Sequence, residues 1–161
     1  MGAIEDKLAA MGLVLPAEAQ VPAGTAIPPN WIRVRNGVAY VSGQSARHAD
    51  GTSASPKGKV PSEVSVDLAR EAAKGAALSI LGTLQRELGT LDRISAWLSV
   101  TGMVNADVGF AGTSAVINGF SDFILELFGL EIGAHARTSP GMAALPGNSA
   151  VVISAIVEID G

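Results

Sequence analysis

Arg137 is the residue in this sequence best suited to binding chemistry, because it is the only lysine or arginine that follows Arg93. It lies within the small-residue run 133–146, and the apolar segment 150–157 comes next. An unpaired charge in so apolar a region is costly to desolvate, so the guanidinium needs an anion. Its planar fork fits a carboxylate through two parallel hydrogen bonds.

Two kinds of partner for Arg137 fit the sequence equally well. One is the carboxylate of a small ligand. The other is a structural salt bridge to Glu126, to Glu131 or to a neighbouring subunit. The residue types alone do not separate the two.

The sequence has two histidines, His48 and His135. On a strand, His135 would share a face with Arg137, either as a base or as the partner of a carboxylate such as Glu131, and the structural role is favoured. His48 stands beside Asp50, but two ligands without a third make a poor metal site, so a solvated loop is favoured. Because cysteine, a P-loop and a dinucleotide fingerprint are all absent from the sequence, it predicts neither a metal nor a cofactor.

Asn118, Ser121 and Asp122 lie in a helical stretch that is flanked by apolar residues. Asp122 would pair with a neighbouring subunit or line a pocket. A structural role at an interface is the favoured interpretation.

Composition predicts a single domain over residues 1–161, with residues 1–30 as an N-terminal helix and arm and residues 31–161 as the core. Hydrophobic residues make up 48% of the chain and charged residues 16%. We therefore expect part of the apolar surface to be buried between subunits. No apolar stretch reaches the roughly 18 residues of a membrane span, and the polar, acidic N-terminus is unlike a signal peptide. A cytoplasmic location without membrane partners is expected.

The charge distribution argues against nucleic acid as a partner. The net charge is −4, and the 11 basic residues are scattered, whereas polyanion binding needs clustered Lys and Arg. Arg33 and Arg35 share one face of a strand, while Arg47, Lys57 and Lys59 lie in a loop. This thin basic patch is interpreted as a solvated surface.

The first third of the chain predicts a helix over residues 3–12, ended by Gly12, and an extended arm over residues 16–30. Asn36-Gly37 between two alternating runs is typical of a type I′ hairpin, because both central residues need positive φ. The predicted strands are Ile32–Arg35 and Val38–Val41, and the second leads into Ser42-Gly43-Gln44.

Two further helices and additional strands complete an α+β domain, with both helices on one face of a mixed sheet. The Gly-, Ser- and Lys-rich segment 45–61 predicts a long mobile loop. A helix comes after it, capped by Ser62 or Ser65 and ended by Gly89. Its predicted apolar face is Leu68, Ala72, Ala76, Ile80 and Leu84. The other predicted elements are a strand over 95–102, a helix over 113–128 closed by Gly129, a strand near 135–139 or 142–145, and a strand over 150–159.

Four segments together resemble, in order and with compatible spacing, the Rid (YjgF-like) family of reactive intermediate deaminases. They are the hairpin ending in Ser42-Gly43-Gln44, the segment 88–94, the segment 116–122 and the run 135–146. The N-terminal helix with Leu15-Pro16 is similar to a longer, chorismate-mutase-like branch whose members carry endoribonuclease or translation-inhibitor names. The resemblance implies a chorismate-mutase-like fold and a homotrimer, with sheets in a central barrel, helices outside and three clefts between adjacent subunits.

The resemblance also implies roles for individual residues in such a cleft. Arg137 matches the family arginine that clamps the substrate carboxylate, and it is the catalytic residue expected here. Ser139 stands where many members carry cysteine, with its backbone N–H toward the ligand. The other expected ligand-binding residues are Thr138, His135, Ser42, Gly43 and Trp31, the last lying close to a family tyrosine.

One departure from the family pattern concerns the last strand. Deaminating members carry a glutamate there that positions or activates water, and Val152 stands at its place. Ser154 is a poor substitute, because its hydroxyl is not basic near neutral pH. Glu158 is four residues further along, about 13 Å away at strand rise.

These residues leave three hypotheses for the function. The first is a hydrolase of 2-imino or 2-enamino acids, or of a related reactive imine, with Arg137 as the carboxylate clamp. The second is a non-catalytic trimer that binds small carboxylates. The third, an endoribonuclease, is disfavoured by the acidic charge and the scattered basic residues.

Overall fold

The computed structural model describes residues 2–161 of the chain. Its helices are α1 (Ala3–Ala10), α2 (Val66–Leu88) and α3 (Thr113–Gly133). Its strands are β1 (Ile32–Arg35), β2 (Val38–Gln44), β3 (Ile94–Asn105), β4 (Ala136–Thr138), β5 (Gly141–Met142) and β6 (Val151–Ile159). Short 3₁₀ turns occupy Leu91–Arg93 and Pro146–Asn148.

The strands form one mixed sheet in the order β1-β2-β6-β3-β4, with β5 also paired to β3. The pairs β1–β2, β2–β6 and β6–β3 are antiparallel, while β4 and β5 run parallel to β3. The two alternative locations predicted for the strand after α3, near 135–139 and 142–145, therefore correspond to two short strands, β4 and β5. The hairpin β1–β2 forms one edge of the sheet and β4 forms the other.

Helices α2 and α3 pack together and cover one face of the sheet. Strand β6 shows this in its alternation of buried and partly exposed residues, which is the period of two expected for a sheet with one covered face. Its buried residues are Val151, Ile153, Ala155, Val157 and Ile159, which belong to the hydrophobic core. The α+β prediction with both long helices on one face is confirmed, whereas the trimeric barrel involves further chains and remains a prediction.

Several local predictions agree with the structure. Asn36 and Gly37 have φ values of 50° and 72°, as a type I′ turn requires. Ser65, rather than Ser62, caps α2, since its Oγ accepts a hydrogen bond from the Leu68 N–H at 3.1 Å. Gly89, with φ of 83°, ends the same helix.

Other local predictions are wrong. Leu68 is 51% exposed and does not belong to the buried face of α2. Strand β3 continues to Asn105, three residues past its predicted end. Gly129 interrupts α3 with φ of 77°, but the chain resumes helical geometry and α3 ends at Gly133.

Residues 45–61 form a loop, as predicted. The segment has no helix or long strand, yet its backbone is bonded to the sheet. The Val60 N–H donates to Asn105 O at 2.8 Å, and Pro56 O accepts from the Ala150 N–H at 2.9 Å. The arm over residues 16–30 lacks regular structure, as predicted, and is bonded to this loop through the Ala17 N–H and Ala49 O at 2.9 Å.

No helix within residues 2–161 combines the length and the apolar character that crossing a bilayer requires.

Candidate functional site

Arg137 lies on the edge strand β4, where it pairs with Val100 of β3. Its side chain turns toward α3 and is half-buried. Nη1 donates to Asn118 Oδ1 at 2.8 Å and to Ser121 Oγ at 3.1 Å. Both acceptors are neutral, so they orient the guanidinium without neutralising its charge.

No carboxylate within residues 2–161 pairs with Arg137. The ion pair in this part of the chain joins Arg70 and Asp122 at 3.3 Å, on the exposed surface between α2 and α3. The alternative of a salt bridge from Arg137 to Glu126 or Glu131 is therefore wrong within this chain, while a partner from a neighbouring subunit is not tested by a single chain. The alternative of a small carboxylate ligand gains support.

The remaining donors of Arg137 are available to such a ligand. Within residues 2–161, Nε and Nη2 donate no hydrogen bond. Arginine binds carboxylates through two parallel N–H groups, so this free side of the fork is suited to bidentate binding.

His135 forms part of the same hydrogen-bonded network. Its Nδ1 lies 2.7 Å from Gly133 O and its Nε2 lies 2.8 Å from Ser121 Oγ. A carbonyl oxygen only accepts, so Nδ1 carries a proton, and in the neutral ring Nε2 then accepts from the Ser121 hydroxyl. Ser121 then donates to His135 and accepts from Arg137. The predicted pairing of His135 with Glu131 is wrong, and its structural role supports Arg137.

Arg137 and His135 line a common pocket of about 260 Å³, as their spacing predicts. The apolar side chains of Leu125 and Leu130 form its other wall, and Leu130 is 78% exposed. The pocket is open to solvent on one side. Its size and mixed lining suit a small organic acid with an apolar group.

Thr138 and Ser139 come directly after Arg137 but differ in exposure. Thr138 is exposed on β4 and pairs with Thr101 of β3. Ser139 is half-buried between β4 and β5. Because side chains alternate along a strand, Thr138 points to the opposite face from Arg137.

The predicted site residues Ser42, Gly43 and Trp31 lie at the other edge of the sheet. Strand β2 is three strand spacings from β4, about 14 Å at the usual separation of neighbouring strands. A single small ligand does not span this distance within one chain. One chain therefore does not assemble the predicted site, and a cleft between two subunits remains a prediction.

Ser42 and Gly43 are nevertheless fixed in place. Ser42 Oγ donates to Asn30 O at 2.8 Å, and its N–H donates to Trp31 O at 2.9 Å. A Cβ on Gly43 would lie 2.9 Å from Val152 Cγ1, closer than carbon atoms normally approach. A side chain at position 43 would therefore force Val152 to shift.

Two basic residues near Gly43 were not predicted to belong to a site. Arg47 and Lys57 line a cavity of about 220 Å³ together with Trp31, Gly43 and Val152. The sequence indicates only a mobile loop for both cations, because a loop without periodicity carries no information about what it packs against. We call this cavity the arm pocket, since residues 19–27 of the N-terminal arm form its outer wall.

The described residues offer no obvious metal centre. No three His, Asp or Glu side chains between residues 2 and 161 come together. His48 is exposed, and the nearby Asp50 accepts hydrogen bonds from Thr52 Oγ1 at 2.6 Å and from the Thr52 N–H at 2.9 Å. The hydrogen bond from the Thr52 hydroxyl has the largest effect, and together the two bonds hold the pKa of Asp50 below its usual value. Asp50 thus stabilises a turn of the loop through Thr52.

Comparison with known proteins relates the whole chain to one family, although no family model matches it. The chain is 35% identical over 143 residues to Protein TCP17 of Trypanosoma cruzi, covering 88% of each sequence. A solved structure from Shewanella oneidensis, named as a candidate endoribonuclease, is 25% identical with a TM-score of 0.86, covering 98% of this chain and 100% of the other. The Rid family protein YyfA of Yersinia pestis shares the fold at 21% identity and a TM-score of 0.58, over 91% and 98% of the two chains. With its hairpin, its β4 arginine and its helix-covered sheet, this chain belongs to the Rid (YjgF-like) family.

Proposed function

We propose that the protein binds 2-imino or 2-enamino acids through Arg137 and hydrolyses their C=N bond. The observation that carries the proposal is the state of Arg137. The guanidinium is oriented by Asn118 and Ser121, and it has no anionic partner among residues 2–161. A half-buried arginine of this kind is suited to recognising a carboxylate.

The chemistry needs few groups from the protein. Water adds to the imine carbon, a proton moves to nitrogen, and the C–N bond breaks to give a 2-oxo acid and ammonia. Pairing Arg137 with the substrate carboxylate withdraws negative charge from the neighbouring carbon and favours attack by water. Holding the imine in one orientation removes part of the entropic cost of the reaction.

The residue at the usual glutamate position limits the expected rate. Val152 is half-buried on the uncovered face of β6, against Gly43, and has no acid or base group. General acid–base catalysis contributes about 10²–10⁴-fold. We therefore expect this protein to accelerate imine hydrolysis less than a family member that carries the glutamate, by about the same factor.

The proposal includes a homotrimer, because a complete cleft needs two chains. One chain would supply Arg137 and His135 at its β4 edge. The adjacent chain would supply Ser42, Gly43 and Trp31 from its opposite edge, and Val152 from the neighbouring strand β6. The 14 Å or so between these edges within one chain supports this division.

The direct test is imine disappearance. An amino-acid oxidase would generate 2-imino acids, and semicarbazide would trap what remains after a fixed time. We expect the wild type to lower the trapped fraction and Arg137→Ala to abolish the effect. The matched control is Arg70→Ala, which removes an arginine from the exposed pair with Asp122. Equal activity in Arg137→Ala would refute the role of the clamp.

The apolar Val152 also favours a second function, a trimer that binds small carboxylates without turning them over. The variant Val152→Glu separates the two. If the wild type binds a 2-oxo acid but leaves imines unchanged, while Val152→Glu accelerates their loss, the cleft is intact and the native protein is a binder.

RNA cleavage has no comparable support. The chain has 15 acidic and 11 basic residues, and the two histidines lie apart, His48 on the arm-side loop and His135 beside Arg137. RNA cleavage by the wild type that Arg137→Ala abolishes would overturn this judgement.

A further inference from the structure

The arm pocket is positively charged, although the protein as a whole is acidic. Its lining includes Arg47 and Lys57 and contains no aspartate or glutamate. The chain has more acidic than basic residues, 15 against 11, so a pocket with two cations and no acid departs from the general surface. Neither cation forms an ion pair within residues 2–161.

Arg47 is held in position by neutral groups. Its Nη1 donates to Gln44 Oε1 at 2.9 Å, and its guanidinium carbon lies 4.8 Å from the centre of the Trp31 ring. Gln44 is itself 1% exposed and donates through Nε2 to Thr83 Oγ1 at 3.0 Å. This buried amide fixes the arginine in one orientation, so little entropy is lost when a ligand binds.

The charge of Arg47 is also partly removed from solvent. The side chain is half-buried, and it also lines a neighbouring cavity together with Arg86, Glu18 and Glu87. Burial, followed by repulsion from Arg86, lowers the pKa of Arg47. Arginine nevertheless stays charged at neutral pH. The attraction between such a partly buried charge and an anion is stronger than the attraction of a fully exposed charge, because less water screens it.

Lys57 supplies the second cation of the arm pocket. Its Nζ lies 3.4 Å from Ser53 Oγ and 3.4 Å from Ser149 Oγ, and Ser149 is 4% exposed. These long contacts leave most of the ammonium's hydrogen-bonding capacity free. Trp31 and Val152 add apolar surface between the two ends of the pocket.

We propose that the arm pocket binds a second acidic group of the ligand, between Arg47 and Lys57, so that the substrates are 2-imino acids with an acidic side chain. The inference rests on the proposed function for the first acidic group, which Arg137 of an adjacent chain binds. The pocket's volume of about 220 Å³ equals about seven water molecules and accommodates a short carbon chain. Val152, an apolar residue, leaves no negative charge to repel the second group.

The test compares two stable product analogues of equal chain length, 2-oxoglutarate and 2-oxopentanoate, which differ in the terminal carboxylate. Calorimetry would give both dissociation constants for the wild type. We expect 2-oxoglutarate to bind at least about tenfold more tightly, since hydrogen bonds to charged groups contribute more than neutral ones. The ratio of the two constants should fall toward one in the double variant Arg47→Gln/Lys57→Gln. Arg35→Gln, an exposed arginine outside the pocket, should keep the wild-type ratio.

Tryptophan fluorescence gives an independent readout. Trp31 lines the arm pocket, whereas Trp97 is 1% exposed in the core. Binding of 2-oxoglutarate should change the emission of the wild type, and Trp31→Phe should remove the change. Circular dichroism would verify that each variant is folded.

The outcomes separate this inference from the proposed function. If Arg137→Ala leaves 2-oxopentanoate binding unchanged, the clamp is wrong, while a ratio that depends on Arg47 and Lys57 still supports the arm pocket. If the wild type binds the two compounds equally, fails to bind 2-oxoglutarate at millimolar concentration, or keeps its preference in the double variant, the arm pocket inference is overturned.

Discussion

The neutral residues around Arg137 matter as much as the arginine itself. Asn118 and Ser121 accept from one nitrogen, and His135 accepts from Ser121 in turn. This series of hydrogen bonds ends on the Gly133 carbonyl, to which His135 Nδ1 donates. The network fixes the guanidinium while its positive charge remains available.

Ser121→Ala tests the network. The substitution leaves His135 Nε2 without its donor in a largely buried position, because Ser121 is 9% exposed. We expect the free energy of unfolding to fall by about 1–3 kcal/mol and 2-oxo-acid binding to weaken as Arg137 loses one restraint. Chemical denaturation and calorimetry measure the two effects. Ser114→Ala, an exposed serine of α3, is the control. An unchanged affinity would show that Asn118 alone orients the arginine.

Gly43 and Val152 provide a second prediction at this scale. A Cβ at Gly43 would lie 2.9 Å from Val152 Cγ1, so Gly43→Ala should destabilise the fold by about 1–3 kcal/mol, the usual cost of overpacking. Val152→Ala should recover part of that loss in the double variant, because residues in contact are not additive. Denaturation of the four proteins measures the coupling. Strict additivity would mean that the two residues do not touch.

Residues of distinctive type are easier to predict from the sequence than residues with distinctive surroundings. Arg137 stands out by its isolation among apolar residues, and its free donors agree with that argument. Arg47 and Lys57 are ordinary in sequence, because their pocket is built from the arm, the loop and strands that are far apart along the chain. Only the folded chain shows which of these segments meet.

At the scale of elements, a glycine near the end of a helical segment predicts where helical geometry is interrupted, but not whether the helix continues beyond it. Gly89 ends α2, whereas Gly129 only interrupts α3, although both have positive φ. Residues after Gly129 form one more turn that leads directly into β4. A glycine specifies a local backbone conformation, and tertiary contacts decide whether the helix continues beyond it. The α+β order itself is predictable, because periodicity distinguishes helices from strands.

The start of α2 can be tested in the same terms. Ser65 Oγ accepts from the Leu68 N–H at 3.1 Å, so Ser65→Ala should lower the free energy of unfolding by about 1 kcal/mol. Ser65→Asp should retain most of the stability, since aspartate is also a good cap. Thermal or urea denaturation would measure both. No loss in Ser65→Ala would indicate that another group caps the helix.

The whole molecule presents one sheet face that its own helices do not cover. Tyr40 is 49% exposed and Ile156 is half-buried on this face, and both line an open groove of about 460 Å³. With 48% hydrophobic residues in the chain, such a face is suited to burial against other copies. This agrees with the proposed homotrimer.

Ile156→Glu tests the assembly. Light scattering should give about three times the chain mass of 16.3 kDa for the wild type. The variant should give a smaller species, because three buried like charges repel one another. Glu71→Gln, on the exposed surface of α2, should remain assembled. A monomeric wild type would contradict the proposed cleft and the need for two chains.

The contact between Asn118 and Arg137 has a consequence for how the proposed carboxylate binding could be lost in evolution. Asn118 Oδ1 lies 2.8 Å from the guanidinium, so exchanging its amide NH₂ for oxygen would place a permanent internal anion on the clamp. Aspartate has nearly the same shape as asparagine, and one nucleotide substitution connects their codons. The fold would survive, and the arginine would look intact in any alignment, yet it would already be occupied. When the function of related proteins is inferred from their sequences, the residue at position 118 should therefore be considered together with the residue at position 137.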